Sequence, residues 1–352
     1  MDITIYTNDV AGGWSPLDQM LGGSEECVTE LAAALHRVGA RVTLYGSVPR
    51  LDHNGVLYRP RAEFDEGAVP DALLTWKDSM PWLMGARARL GNVHWSSDVE
   101  HPWPVPSWLT AFVCLGSYHR GRLLVVWGES EQSPTLRDVP LTIVPHGTPA
   151  TWRAPRLTPG APWRERPSLA VYCSSPDRGL LTLLHDWAEV RRAWPGIELV
   201  VTYGWRRFDA VARNEDLAKA LRAGTMRLLE QRGIFSVGEL TEEELTEILC
   251  RARYWVHPLC FSDSELFCLS AVKAQACGAL PVILRANDSG LMDTVGTHVP
   301  YEAWVRGQET LVVREAPSAL APSWDALARR RWWLLLMNEW LPDEPLSQED
   351  AA

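Results

Sequence analysis

The sequence predicts an α/β protein of two domains, each a parallel sheet covered by helices. Three observations carry this. Short β-branched runs alternate with amphipathic helical segments along the chain, the order that builds parallel sheets. The series breaks once, at residues 147–167, where Pro, Arg, Trp and Thr gather without hydrophobic periodicity, and then starts again. A length of 352 residues exceeds one typical core and suits two.

The elements follow in order. Residues 3–7 form a short β-branched run before a Gly-containing loop, and residues 25–38 place Val28, Leu31, Ala32 and Leu35 at helical spacing. Gly39 ends that helix and residues 41–45 give the next strand. Further strands are expected at 72–76, 92–96, 111–115 and 141–144. Beyond the linker, strands are expected at 168–172, 198–203, 254–257 and 280–284. Helices are expected at 180–194, 216–231, 242–252 and 269–277, and a last amphipathic run occupies 324–340. The expected domains are 1–150, 151–320, and a terminal helix with an acidic tail at 321–352 that crosses back to the first domain. Ligands of open α/β sheets bind beyond the carboxyl ends of strands. Two such domains are expected to face each other across a cleft.

Composition narrows the function classes. Hydrophobic residues make up 46% and charged residues 22%, ordinary values for a globular protein. No apolar run is long enough to span a bilayer. The opening MDITIYTND has neither a basic n-region nor an apolar h-region, so a cytoplasmic protein is expected. Seven scattered cysteines without a CxxC pair read as buried thiols in a reducing compartment. A formal net charge of −10 disfavours sequence-independent nucleic-acid binding.

Three stretches carry chemistry. Gly22-Gly23-Ser24-Glu25 precedes the first helix; glycines admit a ligand to the backbone and helix N-terminal amides attract phosphate. A turn with an N-cap Ser explains it equally well. Ser174-Ser175-Pro176-Asp177-Arg178-Gly179-Leu180 follows a strand and opens a helix, so hydroxyls, amides and a guanidinium can converge on an anion. The bland alternative is a capped helix with an exposed Arg. Glu265 stands just ahead of the helix beginning near Leu269, where a carboxylate can accept from sugar hydroxyls while the helix offers amides to phosphate. A capping Glu on a buried helix is the alternative there.

Together these stretches resemble the retaining glycosyltransferases of the GT-B fold, in particular family four, over nearly the whole chain. The resemblance implies that Gly22, Gly23 and Glu25 match the loop contacting the donor diphosphate and sugar, and that Arg178-Gly179 matches the diphosphate grip, with Ser175 beside it. The string from Ser174 to Leu180, followed later by Tyr203-Gly204-Trp205, looks like one branch of these enzymes. Gly238-Glu239-Leu240 with Glu243, Glu244 and Leu245 resembles the stretch near the base pocket. Ile143-Val144-Pro145-His146-Gly147 resembles the turn that closes the first domain, and residues 276–282 carry the AxGxxPV string. By the same resemblance Tyr203, Phe267, Cys268, Leu269 and Lys273 join the donor site and Glu265 the catalytic group, with no metal or other cofactor and a UDP- or GDP-sugar as co-substrate.

Two departures stand out. The family pairs two Glu residues seven positions apart; here Glu265 fills the first and Lys273 the second. An ammonium cannot accept from a ribose diol, so Lys273 is expected either to touch the nucleotide as a cation, the favoured outcome, or to pair with a neighbouring acid. The family's first-domain His is replaced within His94-Trp95-Ser96-Ser97-Asp98-Val99-Glu100-His101, which leaves Asp98 and His101 as catalytic candidates. Asp263-Ser264-Glu265 looks superficially like a divalent-metal motif, but the resemblance implies metal-free transfer. The leading expectation is transfer to a hydroxyl on a small molecule, lipid or glycan. A non-catalytic nucleotide-sugar-binding protein and a DNA-modifying glycosyltransferase acting on a hydroxylated base are the alternatives.

Overall fold

The computed structural model describes residues 1–7, 13–19, 21–77, 88–95, 105, 107–127, 139–148, 163–205, 208–209, 215–258, 265–284, 289–314 and 323–339. The chain divides into two compact units, Met1–Pro149 with Ala321–Ala352, and Ala150–Leu320.

In the first unit, β1 (Asp2–Thr7), α1 (Gly23–Arg37), β2 (Arg41–Gly46), β3 (Leu51–His53), β4 (Val56–Pro60), β5 (Ala72–Trp76), β6 (Gly91–Trp95), β7 (Ala111–Cys114), α2 (Ser117–Val126) and β8 (Leu141–Ile143) build an eight-stranded sheet. Its order is β3-β4-β2-β1-β5-β6-β7-β8, parallel except for the β3–β4 hairpin. β5, β6 and β7 are buried at every position, as strands covered on both faces must be. The β3–β4 turn places Asn54 and Gly55 at φ 48° and 77°. This is the Asn-Gly geometry that matches strand twist.

In the second unit, β9 (Leu169–Tyr172), α3 (Leu180–Ala193), β10 (Glu198–Thr202), α4 (Glu215–Leu228), β11 (Ile234–Gly238), α5 (Glu242–Arg251), β12 (Tyr254–His257), α6 (Leu269–Ala276), β13 (Leu280–Ile283), α7 (Leu291–Thr294), β14 (Val299–Pro300) and α8 (Tyr301–Val305) give a six-stranded sheet, β11-β10-β9-β12-β13-β14. All its pairings are parallel. One face packs Leu183, Leu184, Trp187 and Val190 of α3 against Tyr172, Leu199 and Tyr254; the other packs Ala271 and Ala274 of α6 against Val171 and Trp255. Arg166 is buried and donates to the carbonyls of Ala252 and Cys277, tying two helix ends to the start of β9.

The last segment runs as α9 (Trp324–Leu327), a π-helical stretch (Ala328–Trp332) and α10 (Trp333–Leu336). It belongs to the first unit. Arg37 of α1 pairs with Asp325, and a side chain at Gly147 would strike the Trp324 ring. No described helix is long and apolar enough to cross a membrane.

Candidate functional site

In the second unit the chemistry gathers where β9 and β12 end. The chain leaves β9 at Tyr172, turns through Ser174–Asp177 and enters α3 behind Gly179. The Tyr172 hydroxyl and the Arg178 amide both donate to the Ser175 carbonyl, at 2.6 and 2.9 Å, which closes the turn. Gly179 caps α3 in the left-handed region at φ 96°, and a Cβ there would overlap the Pro258 carbonyl just beyond β12. Only glycine meets both demands. No side chain caps this helix, so the bland reading of an Asp- or Ser-capped α3 does not hold.

Arg178 is thereby aimed at Glu265, whose Oε2 lies 3.2 Å from Nη1. Both side chains are largely enclosed. Burial pushes the Glu265 carboxyl upward, against the opposing pull of Arg178, the Phe267 amide and Cys268. For Arg178, burial acts downward, but the charges of Glu265 and Asp177 outweigh it and keep the guanidinium protonated. Glu265 is held from its backbone as well: its carbonyl accepts from the Gly290 amide at 2.8 Å, and a side chain at Gly290 would overlap the Leu266 carbonyl. Glu265 is therefore not the cap of α6; Cys268 occupies that position, with no side-chain capping bond. Phe267 and Cys268 are buried ahead of α6, and Leu269 is its first residue. The first amides of a helix have no intrahelical acceptor, so this end presents donors and the positive pole of the dipole.

At the end of β10, Tyr203 takes φ 90°, which a side chain rarely adopts, and Gly204 and Gly238 also have positive φ. Such strain persists only where the surroundings over-determine it and often marks a functional loop. Lys273, about one turn beyond Leu269 on α6, is buried with its Nζ 2.7 Å from Glu242 Oε2. This is the ion pair with a neighbouring acid expected as the alternative to a Lys directed at the nucleotide. The ammonium needs a counter-charge inside the unit, and the acidic first turn of α5 supplies it.

In the first unit Gly22 caps α1 with no side-chain bond, so an N-cap Ser does not explain the Gly-Gly stretch. Ser24 Oγ instead accepts from Trp76 Nε1 at 2.9 Å, and Glu25 pairs with Lys77 at 2.6 Å. Ser24 and Glu25, just beyond Gly22 and Gly23, thus lie against the carboxyl end of β5. Asp98 and His101 lie outside the described residues, as does Asp263. His94, from the same quoted stretch, is a core residue: it is fully buried, contacts Thr75 Oγ1 at 2.7 Å, and burial pushes it down to about 3.

Two groups escaped the sequence reading. Lys77 carried no motif. His257, at the end of β12, is buried and stacked on Trp255, with ring centroids 5.1 Å apart. Among the described residues, His257, Glu265 and Cys268 offer the grouping suited to a metal ion.

No known family profile matches the chain, and no curated protein matches its sequence. Solved structures do match. Sucrose-phosphate synthase from Thermosynechococcus elongatus aligns over 96% of this chain and 92% of its own, with a TM-score of 0.58 at 15% identity. The chain has the GT-B fold. Anabaena Alr3699/HepE, solved in complex with UDP and glucose, covers 96% of this chain and 92% of its own, with a TM-score of 0.54 at 14% identity. WaaG, a glycosyltransferase involved in lipopolysaccharide biosynthesis, covers 96% and 98% with a TM-score of 0.54 at 10% identity. Identity this low speaks for the GT-B architecture; the chemistry has to be argued from the residues.

Proposed function

We propose that this GT-B chain is a retaining glycosyltransferase that moves a sugar from a nucleotide-sugar donor, a UDP-sugar first among the candidates, to a hydroxyl acceptor. The observation that carries this is the enclosed Arg178–Glu265 pair, set between the end of β9 and the start of α6. Arg178 is fixed by the Gly179 turn and offsets the charge that develops on the leaving diphosphate. The amides at the start of α6 add to that stabilisation, as preorganised dipoles do in an enclosed site. Glu265 accepts from hydroxyls of the transferred sugar. Ser175, Tyr203, Phe267, Cys268 and Leu269 are the donor contacts of the second unit; in the first unit Gly22, Gly23 and Glu25 match the donor-loop motif. Cation and amides together suffice for the leaving group, so the transfer needs no metal. UDP leads because one solved relative of this fold is described with UDP and glucose.

The test is Arg178→Ala. Loss of a charge-assisted contact to the diphosphate should cost about 2 kcal/mol or more of transition-state stabilisation, roughly thirtyfold in kcat/KM. Wild-type turnover by this variant would sink the assignment. A second reading, a protein that binds the nucleotide sugar without transferring it, is favoured by one observation: Lys273 stands where the family's second acid is expected and is engaged with Glu242. Donor hydrolysis or transfer by the purified protein decides between the two; a nucleotide-induced rise in melting temperature without turnover would select binding alone.

A further inference from the structure

Three side chains converge beside the Arg178 contact. His257 ends β12, Glu265 stands ahead of α6, and Cys268 caps that helix. One ligand atom from each lies within 4.8 Å of the other two. Among the described residues neither nitrogen of His257 has a hydrogen-bond partner, although the ring has no exposed surface. A buried polar group without a partner is costly and calls for a ligand. The ring is held nearly parallel to Trp255, at 11°, so its plane is set by the core before anything binds.

A neutral imidazole, a carboxylate and a thiol in one enclosed place form the donor set that zinc takes with three protein ligands and an open fourth position. Calcium and magnesium demand oxygen ligands in greater number, so this set selects against them. We propose that His257, Glu265 and Cys268 bind a zinc-type divalent ion, and that occupancy inhibits the enzyme by taking Glu265 from Arg178 and the donor. The inhibitory half rests on the functional reading above; metal binding itself does not.

The balance is simple. A tetrahedral zinc with bonds of about 2.0–2.3 Å sets its ligand atoms on the order of 3.5 Å apart. The separations between the three atoms therefore shorten by about 1.3 Å at most. The Cys268 thiol loses one proton to solvent, His257 ligates as the neutral ring, and Glu265 ligates as the carboxylate. Burial pushes the Cys268 thiol well up, so without metal the thiol stays protonated and inert. Arg178 contributes a nearby positive charge, which lowers affinity below that of a closed structural site. The ion is consequently exchangeable, as a regulatory ion must be.

The experiment titrates Co²⁺ into chelator-treated full-length protein and follows absorption. One equivalent should produce a thiolate-to-cobalt charge-transfer band and visible bands of four-coordinate intensity, bleached by equimolar Zn²⁺. Cys268→Ser should abolish the charge-transfer band, and His257→Gln should weaken Co²⁺ binding at least tenfold, with thermal melting confirming that each variant folds. If His257→Gln does not fold, Cys268→Ser decides alone. No stoichiometric binding, or an unchanged spectrum in Cys268→Ser, overturns the site. For inhibition, one equivalent of Zn²⁺ should suppress the rise in melting temperature that UDP gives the wild type; an equal rise with and without zinc overturns that half. UDP binding without cobalt binding sinks the metal site alone, and the cobalt spectrum without UDP binding sinks the donor reading alone.

Discussion

Substituting Gly179 by Ala separates two costs that the turn before α3 combines. The first is conformational: φ 96° places a side chain in a region that costs about 1–3 kcal/mol. The second is steric, because the new Cβ would overlap the backbone carbonyl of Pro258, which cannot swing aside as a side-chain tip can. Overpacking of this kind typically costs a further 1–3 kcal/mol. The sum is about 2–6 kcal/mol, a large share of a domain's stability. Gly196 provides the internal control: its φ is 84°, yet nothing lies within 4 Å of its Cβ position. Gly196→Ala should thus cost only the conformational part, at the low end of about 1–3 kcal/mol. Urea unfolding of both variants, followed by tryptophan fluorescence, measures the difference. Gly179→Ala should also blunt the UDP-induced rise in melting temperature, because relief of the overlap moves Arg178. Equal urea midpoints for the two variants would refute the claim that Pro258 packs the turn and thereby aims Arg178.

Three further outcomes are expected. Lys273→Met should leave UDP affinity unchanged while lowering stability by about 1–3 kcal/mol, since it removes a charge-assisted bond from a buried position; weaker diphosphate binding would instead restore a nucleotide contact. Lowering pH from 7 to 5.5 should destabilise the first unit, because burial holds His94 and His146 at about 3 and His119 at about 4 while the unfolded chain protonates near 6.5. The unfolded state then binds more protons than the native one, stability falls below pH 6.5 by up to about 1.4 kcal/mol per unit per His, and a constant urea midpoint over that range would contradict the burial. Transfer should survive a chelator at full rate or faster, and a reaction abolished by chelator and restored by magnesium or manganese would overturn the metal-free reading.

Legibility in the sequence followed burial. Strands covered on both faces, such as β5 and β12, are apolar but for Thr75 and His257, and both stand where the sequence places them. β11 was missed because its middle residues face solvent and its pattern carries neither a run nor an alternation. α2 was missed because Gly121 and two valines weaken its helical propensity and only His119 and Leu123 are buried. The β3–β4 hairpin had a readable sign, Asn54-Gly55, flanked by strands too short to draw notice. The continuous run after 324 was seen, but not its π-helical middle, which no spacing rule distinguishes from an α-helix.

The site divides along a different line. Motif strings marked Arg178, Gly179 and Glu265 because each depends on local backbone: a left-handed turn, a strand end, a helix start. Pairing is not local, and there the strings fell silent. Lys273 shows what could still have been inferred. It sits in Leu269-Ser270-Ala271-Val272-Lys273-Ala274, a run whose neighbours Ala271, Val272 and Ala274 are all buried. A cation on such a helix cannot reach water on every side, and an unpaired buried charge is too costly to persist. An acid from another element is therefore required by the run itself. The strongest source within this unit is the segment Thr241-Glu242-Glu243-Glu244, whose capping box occupies Glu244 and leaves Glu242 to turn towards α6. Glu242 is the residue that meets Lys273. His257 yields to the same reasoning: a His ending an all-buried strand must find a partner or remain neutral without one. Among the described residues His257 is in that second state, which makes it a ligand in waiting beside Glu265 and Cys268.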